Sequence, residues 1–322
     1  MWDTALSLIA FSEYLGTGEN LKQGAMDAIR NSLSYILRSY NTTKGGWSFD
    51  YYMRHLPDND DTALAIVALR RFKDLLKPAI LEDIKSDVLD FLRRMQNDDG
   101  GWGAFLKNQC YKFPGRIPPF HEEHGHELKD PSTADVTGHV LQALGEVYGL
   151  ETGQSKMVNK AIGFLRRDQL EFGGWWGRWG IGYIYGTTQV LQGIRAVNEN
   201  MAQKYVQKSV RWLLEIQNDD GGWGEHYTSQ YSDYYIGADS TVEQTSWVVI
   251  ALLDSGVSPY SEPILGAVRY LLRMQREDGS FPSAYVASAI DPGKYESYSA
   301  IFPLWALSKW ISSAIANGGN VK

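Results

Sequence analysis

Cysteine is nearly absent: Cys110 is the only one in 322 residues. One thiol excludes an intrachain disulfide and a cysteine-based zinc cluster, and it suits a reducing, cytoplasmic compartment. An excess of basic residues is also missing. Lys and Arg number 31 against 38 Asp and Glu, for a formal charge of −7. The basic residues cluster no further than pairs such as Arg93-Arg94 and Arg166-Arg167. A nucleic-acid partner needs a concentrated basic surface and is not expected. No run of about 18 apolar residues exists, so no bilayer-spanning segment is expected. Peripheral contact with the inner membrane stays open. The start Met1-Trp2-Asp3-Thr4 lacks the basic residues of a signal peptide.

Aromatic residues are plentiful at 13%, with 11 Trp and 19 Tyr. Such a content excludes disorder as the general state. The length alone suggests about two domains, but repeat architectures form single units at this size. A repeat is present. KSDVLDFLRRMQNDDGGWG at 85–103, KAIGFLRRDQLEFGGWWG at 160–177, KSVRWLLEIQNDDGGWG at 208–224 and GAVRYLLRMQREDGSF at 266–281 share one phrase. A weaker copy, NSLSYILRSYNTTKGGWSF at 31–49, has Tyr40 in place of Gln. The anchors Trp47, Trp102, Trp175, Trp223 and Phe281 lie 55, 73, 48 and 58 residues apart.

Each copy has a mechanical reading. Val88, Phe91, Leu92 and Met95 fall at helical offsets, as do Val210, Leu213, Leu214 and Gln217. The helix should stop at the glycine turn, where positive φ is permitted. The Gln then satisfies backbone groups freed at the turn, and the Trp packs over the helix end with its N–H paired. More apolar helices alternate with these, at about 3–15, 60–71, 133–148, 185–198, 240–254 and 298–315. Their low charge implies burial on most sides. Six inner helices and five clear outer ones make an all-α fold, a closed (α/α)6 barrel or helical toroid, in one domain over 1–322. Its chemistry belongs at one mouth, on the long connections 104–132, 225–239 and 281–297 and the approach 48–59.

The sharpest local feature is Leu56-Pro57-Asp58-Asn59-Asp60-Asp61-Thr62, running straight into an inner helix. Asp58 or Asp60 suits an N-cap, with the other acids favourable near the positive helix end. An EF-hand loop would need Gly where Ala63 stands, and the spacing is not Asp-Asp-x-x-Asp. Three carboxylates within four positions cannot all ionise cheaply, so at least one should keep its proton. Asp135 and His139 lie four apart on the next inner helix and share a face. His139 is either a satisfied core histidine or the group that orients the acid and stabilises the carboxylate left after proton transfer.

The chain resembles the class II terpene cyclases, and squalene–hopene cyclases in particular. Asp58-Asn59-Asp60-Asp61-Thr62 matches their Asp-x-Asp-Asp-Thr motif, and the Gln…Gly-Trp phrases match their QW repeats. Trp2-Asp3-Thr4, Gly45-Gly46-Trp47, Ala134-Asp135-Val136-Thr137-Gly138-His139, Gly177 to Thr187 and Gln244-Thr245-Ser246-Trp247 run in family order. The resemblance implies Asp60 as proton donor, with Asp58 and Asp61 as motif neighbours. It implies His139 as the donor's hydrogen-bond partner and Asp135 as its acidic companion. Trp2, Phe49, Phe105, Trp179 and Tyr185 match aromatic cavity positions, Tyr185 being also tied to restoring the donor's proton through water. Tyr295 and Tyr298 match cavity tyrosines of the last loop. The match covers the catalytic α-domain alone and leaves out the family's second barrel. It implies a shorter prenyl chain, on a phenolic or polar head, as in single-domain meroterpenoid cyclases.

This chemistry explains the residue types. An alkene is a very weak base, so its acid must hold a proton and be unusually strong. The cation formed needs an apolar cage, where each aromatic face contributes roughly 0.5–2 kcal/mol. No redox cofactor is required, and no metal site for a diphosphate is evident. Trp47, Trp102, Trp175 and Trp223 read as clamps outside the cage, and Trp212 as structural. Trp179 and Tyr185 sit beyond the clamp phrase and favour the cavity. His121, His124 and His126 permit a metal, yet suit a hydrated loop or an anionic head group, as Arg116 does. Phe113, Ile117 and Phe120 suit a lip touching lipid. Squalene-type triterpene cyclisation, glycoside hydrolysis by two carboxylates across a cleft, protein prenyl transfer and a noncatalytic scaffold are the competing functions.

Overall fold

The computed structural model describes residues 1–21, 23–49, 55–108, 130–288 and 292–318. Cys110, Phe113, Arg116, Ile117, Phe120, His121, His124 and His126 lie outside them. Eleven α-helices are found among the described residues. They are α1 (Trp2–Gly16), α2 (Gln23–Ser39), α3 (Asn59–Arg71), α4 (Pro78–Met95), α5 (Ala134–Glu146) and α6 (Lys156–Asp168). The chain continues with α7 (Gly182–Ala196), α8 (Lys204–Glu215), α9 (Val242–Asp254), α10 (Glu262–Met274) and α11 (Tyr298–Ala316).

Two kinds of helix alternate, and their burial follows their sequences. α3 buries every residue from Asn59 to Leu69, and α9 every residue from Val242 to Leu252. α4 buries only Leu81, Ile84, Val88, Phe91 and Leu92, one stripe at helical spacing. Each such Leu or Phe contributes roughly 1.5–3 kcal/mol against exposure. The odd-numbered helices touch in cyclic order, α1 to α3, α5, α7, α9, α11 and back to α1. Each even-numbered helix packs on the odd one before it. The result is an all-α fold with the helix-pair packing of an α/α toroid.

The glycine turns close as clamps. The indole N–H of Trp47, Trp102, Trp175 and Trp223 donates to the carbonyl of Ile36, Leu92, Leu165 and Leu213, at 2.6–2.8 Å. Gln96 donates to Gly100 O in its own turn and to Met157 O of the next outer helix, at 2.8 and 2.9 Å. Gln169 and Gln217 make the same pair of bonds to α8 and α10. Gly100 needs its φ of +103°, and a Cβ there would stand 2.3 Å from Lys160 O. A threonine from each following inner helix completes the clamp. Thr62, Thr137, Thr187 and Thr245 accept the backbone N–H of the four tryptophans at 2.9–3.1 Å.

Toward the C-terminal ends of the inner helices, charge alternates around the ring: Glu13 on α1, Arg71 on α3, Glu146 on α5, Arg195 on α7, Asp254 on α9 and Lys309 on α11. Arg71 bridges Glu13 at 2.7 Å and Glu146 at 3.0 Å, and Lys309 meets Asp254 at 2.8 Å.

The connection 225–239 is more than a loop. β1 (Trp223–Glu225) pairs antiparallel with β2 (Gly237–Thr241), around a 3-10 turn at Tyr227–Tyr231. Periodicity could not reveal so short a ladder. It forms because Gly224 admits the opposite backbone, and a Cβ there would lie 1.9 Å from Asp239 O. A smaller ladder joins β3 (Ala287–Ser288) to β4 (Pro292–Gly293). Ile181 N donates to Val286 O at 2.7 Å, tying that segment to the start of α7.

Candidate active site

The N-terminal ends of the inner helices surround the other mouth, and α3 brings the acidic run to it. Asp58 is the N-cap. Its Oδ1 accepts from Asp61 N at 2.7 Å and its Oδ2 from Phe49 N at 2.8 Å. With Asp58 so engaged, Asp60 in the first turn is turned to a different partner. Its Oδ1 stands 2.6 Å from His139 Nδ1. The Asp60 side chain is 10% exposed and that of His139 4%.

Electrostatics follow from this enclosure. Burial raises the Asp60 carboxyl above the usual carboxylate range even though His139 opposes it. Burial alone would lower the His139 pKa, but the Asp60 carboxylate overcomes it and raises it. Both shifts favour retention of protons by the pair. Burial and the neighbouring carboxyls push Asp58 well up, and burial takes Asp61 to about 7.

A cavity opens beside Asp60, lined by Trp2, Phe49, Asp58, Asp61, Ala104, Phe105, Trp179, Ala287, Tyr295 and Tyr298. Its volume of about 130 Å³ is well below the ~300–1,000 Å³ of pockets that enclose whole ligands. The described walls thus enclose only a small space beside Asp60. Tyr295 and Tyr298 stack at 4.8 Å, Phe105 meets Trp179 edge-on at 5.9 Å, and Trp2 lies 5.4 Å from the His139 ring. The Trp2 indole donates to the Tyr298 hydroxyl. Tyr185 is not among the residues that line this cavity. It is buried behind His139, with ring centroids 6.3 Å apart, and packs on Trp247 at 4.9 Å. The four clamp tryptophans are not among the residues that line the cavity.

Beside its charge, which helps to raise the His139 pKa, Asp135 has a main-chain task. Its Oδ2 accepts from Arg178 N and Trp179 N at 2.8 and 2.9 Å, holding Trp179 at the cavity. Asp58 holds Phe49 in the same manner, and Asp130 accepts from the backbone N–H of Ala104, Phe105 and Leu106. Three buried carboxylates each grip the main chain of one wall aromatic. Sequence reasoning missed Asp130 because it sits 25 residues from Phe105. It also missed Gln189, whose Oε1 lies 3.0 Å from His139 Nε2. The polar run Thr187-Thr188-Gln189, with Gln192 one turn on, inside a buried helix was the available signal.

No group of three or more metal-ligating side chains is found among the described residues. No described helix is long and apolar enough to cross a membrane.

Comparison with known proteins agrees with this geometry. The squalene–hopene cyclase C-terminal domain family matches residues 1–312. The squalene–hopene cyclase of Zymomonas mobilis is 34% identical over 335 residues, covering 98% of this chain and 49% of that protein. The chain spans about half the length of the curated relatives it matches. Among solved structures, the type II terpene cyclase MstE from Scytonema is similar with a TM-score of 0.63 at 16% identity, over 98% of this chain and 88% of that one. A Klebsiella pneumoniae protein described as a possible member of the GH105 family shares the fold at a TM-score of 0.58 and 15% identity, over 96% and 82% of the two chains. Fold alone therefore does not decide the chemistry. Sequence settles the lineage: the chain belongs to the squalene–hopene cyclase C-terminal domain family.

Proposed function

We propose that the chain is a class II terpene cyclase of the meroterpenoid type, acting on a farnesyl or geranylgeranyl chain carried by a phenolic acid. The observation that carries this reading is Asp60, buried at an aromatic-lined cavity with one oxygen against His139. The neutral Asp60 carboxyl gives its proton to the terminal alkene, whose π electrons form the new C–H bond. His139 stabilises the carboxylate left behind. The tertiary cation is attacked by successive alkenes folded against Trp2, Phe49, Phe105, Trp179, Tyr295 and Tyr298. Loss of a proton, or trapping by an internal oxygen, ends the cascade. No redox step enters.

A variant of MstE was solved with geranylgeranyl dihydroxybenzoate, and the small cavity beside Asp60 suits one end of such a molecule. We read the helix ring as an (α/α)6 barrel with QW-type repeats in one catalytic domain, and the protein as cytoplasmic, meeting the membrane that holds its substrate only at its surface. Glycoside hydrolysis is less well supported. Its two carboxylates stand across a cleft, whereas the acids lining this cavity all come from residues 58–61 and face aromatic side chains. The test is incubation of the purified protein, with and without EDTA, with matched prenyl alcohols and prenylated hydroxybenzoates. Ring-bearing isomers of unchanged mass, identified by chromatography and NMR and indifferent to chelation, are the expected products. A folded enzyme that leaves every one of these substrates linear refutes the reading.

A further inference from the structure

His139 has two ring nitrogens, and the fold assigns each a different neighbour. Nδ1 faces Asp60 on α3, while Nε2 faces Gln189 Oε1 on α7 at 3.0 Å. Trp2 covers the imidazole from α1, Tyr185 from α7, and Asp135 lies one turn earlier on its own helix α5. Gln189 could in principle present either oxygen or nitrogen, but two bonds settle which. Gln192 Nε2 donates to Thr188 O, a carbonyl that can only accept, and also reaches Gln189 Oε1 at 3.3 Å. Gln189 Nε2 points instead toward Thr188 Oγ1. A carbonyl oxygen opposite Nε2 requires that nitrogen to carry the hydrogen.

We propose that Gln189, locked by Gln192, is a positioning residue that keeps His139 protonated at Nε2 and leaves Nδ1 to serve Asp60. In the neutral imidazole, Nδ1 then offers a lone pair to the Asp60 O–H. In the imidazolium, Nδ1–H donates to Asp60 Oδ1 and frees the other carboxyl oxygen to carry the proton that meets the alkene. The opposite tautomer would set an Nε2 lone pair against an amide oxygen. The α5–α7 packing makes the arrangement reachable, because Gly138 lets Gln189 backbone approach to where a Cβ would stand 2.5 Å away.

The inference rests on the cyclase reading for its catalytic meaning, but its physical content can be measured without substrate. In ¹⁵N-histidine-labelled protein, with His139→Gln used to assign the signal, the neutral His139 ring should show the Nε2–H tautomer. An Nδ1–H tautomer overturns the proposal. Gln189→Met removes the acceptor at similar volume and should lower the His139 titration midpoint by about one pH unit. Gln189→Glu keeps an acceptor and should restore or raise it. With a prenylated hydroxybenzoate as substrate, the alkaline limb of kcat should move down with the midpoint in Gln189→Met while KM stays within about twofold. An unmoved midpoint and limb in folded Gln189→Met overturn the role. Should the wild type leave all prenyl substrates unchanged while His139 still responds to Gln189, the cyclase reading fails and the tautomer assignment stands.

Discussion

Replacing Gly138 by alanine tests how the helix packing serves the acid. A Cβ at position 138 would meet Gln189 O at 2.5 Å, Gln189 C at 2.7 Å and Val190 N at 3.0 Å, all of them α7 backbone. None of these atoms can rotate away. Restoring an ordinary contact of 3.4 Å to the carbonyl needs about 0.9 Å of separation between α5 and α7. Gly145 and Gly193 hold the same interface equally close, so the shift cannot be absorbed by tilting one end. Overpacking of this kind costs about 1–3 kcal/mol, offset by up to ~1 kcal/mol from the better helix propensity of alanine. The net loss should be about 1–2 kcal/mol in urea denaturation. Turnover should suffer more. The His139–Gln189 bond, 3.0 Å long, would open past hydrogen-bonding range, and a 1 Å misplacement at a reacting centre can cost about 10²-fold. Gly163→Ala on α6 is the control: the added methyl meets only the flexible end of Arg167 at 3.4 Å, and stability should hold or rise. If Gly138→Ala matches wild type in both denaturation midpoint and turnover, the close α5–α7 approach has no bearing on the site.

Other substitutions probe separate parts. Asp60→Asn should preserve folding and remove at least ~10³-fold of turnover, about 4 kcal/mol of barrier, and near-normal product formation by the folded variant would remove Asp60 from the role of donor. Trp102→Phe leaves the Leu92 carbonyl without its indole partner and should cost about 1–3 kcal/mol in urea denaturation. Glu225 accepts from Tyr183 N and Ile184 N at the start of α7, and burial raises its pKa to about 8. The native state therefore binds a proton that the unfolded chain releases above pH ~4.5, and stability declines as pH rises toward 8, by up to ~1.4 kcal/mol per unit. Glu225→Gln should flatten that slope, and an unchanged slope would assign it to other groups. Arg71→Met removes the cation that Glu13 and Glu146 share and should cost about 2–4 kcal/mol at pH 7. Arg71 holds the Glu146 carboxyl below its usual range against the opposing effect of burial, so this contribution should fade as pH falls through that depressed pKa.

Much of the helical scaffold could be read from the chain because its signals are local. Outer stripes such as Val88, Phe91 and Leu92 recur within one helix, and the turn and its Trp follow at once. Inner helices betray themselves by low charge over a dozen residues, as α9 does. The threonines that complete the clamps escaped because no fixed period marks them. Thr62, Thr137, Thr187 and Thr245 follow their tryptophans by 15, 35, 12 and 22 residues, according to the connection between. Within the site, Asp60 and His139 stood out by crowding and motif. Gln189 did not, since 50 residues separate it from the ring it faces. The task of Asp135 was hidden for the same reason: it serves main-chain N–H groups 43 and 44 residues downstream, and main chain leaves no trace in a sequence.

Because Asp58, Asp130 and Asp135 hold Phe49, Phe105 and Trp179 through peptide N–H groups, the identity of each ring is independent of what anchors it. Any L-residue but proline presents the same amide. The chamber can therefore be re-contoured one side chain at a time, by evolution or at the bench, while the main chain beneath each ring stays moored and the acid keeps its setting. The contour of the cavity and the setting of Asp60 are in this sense separately adjustable.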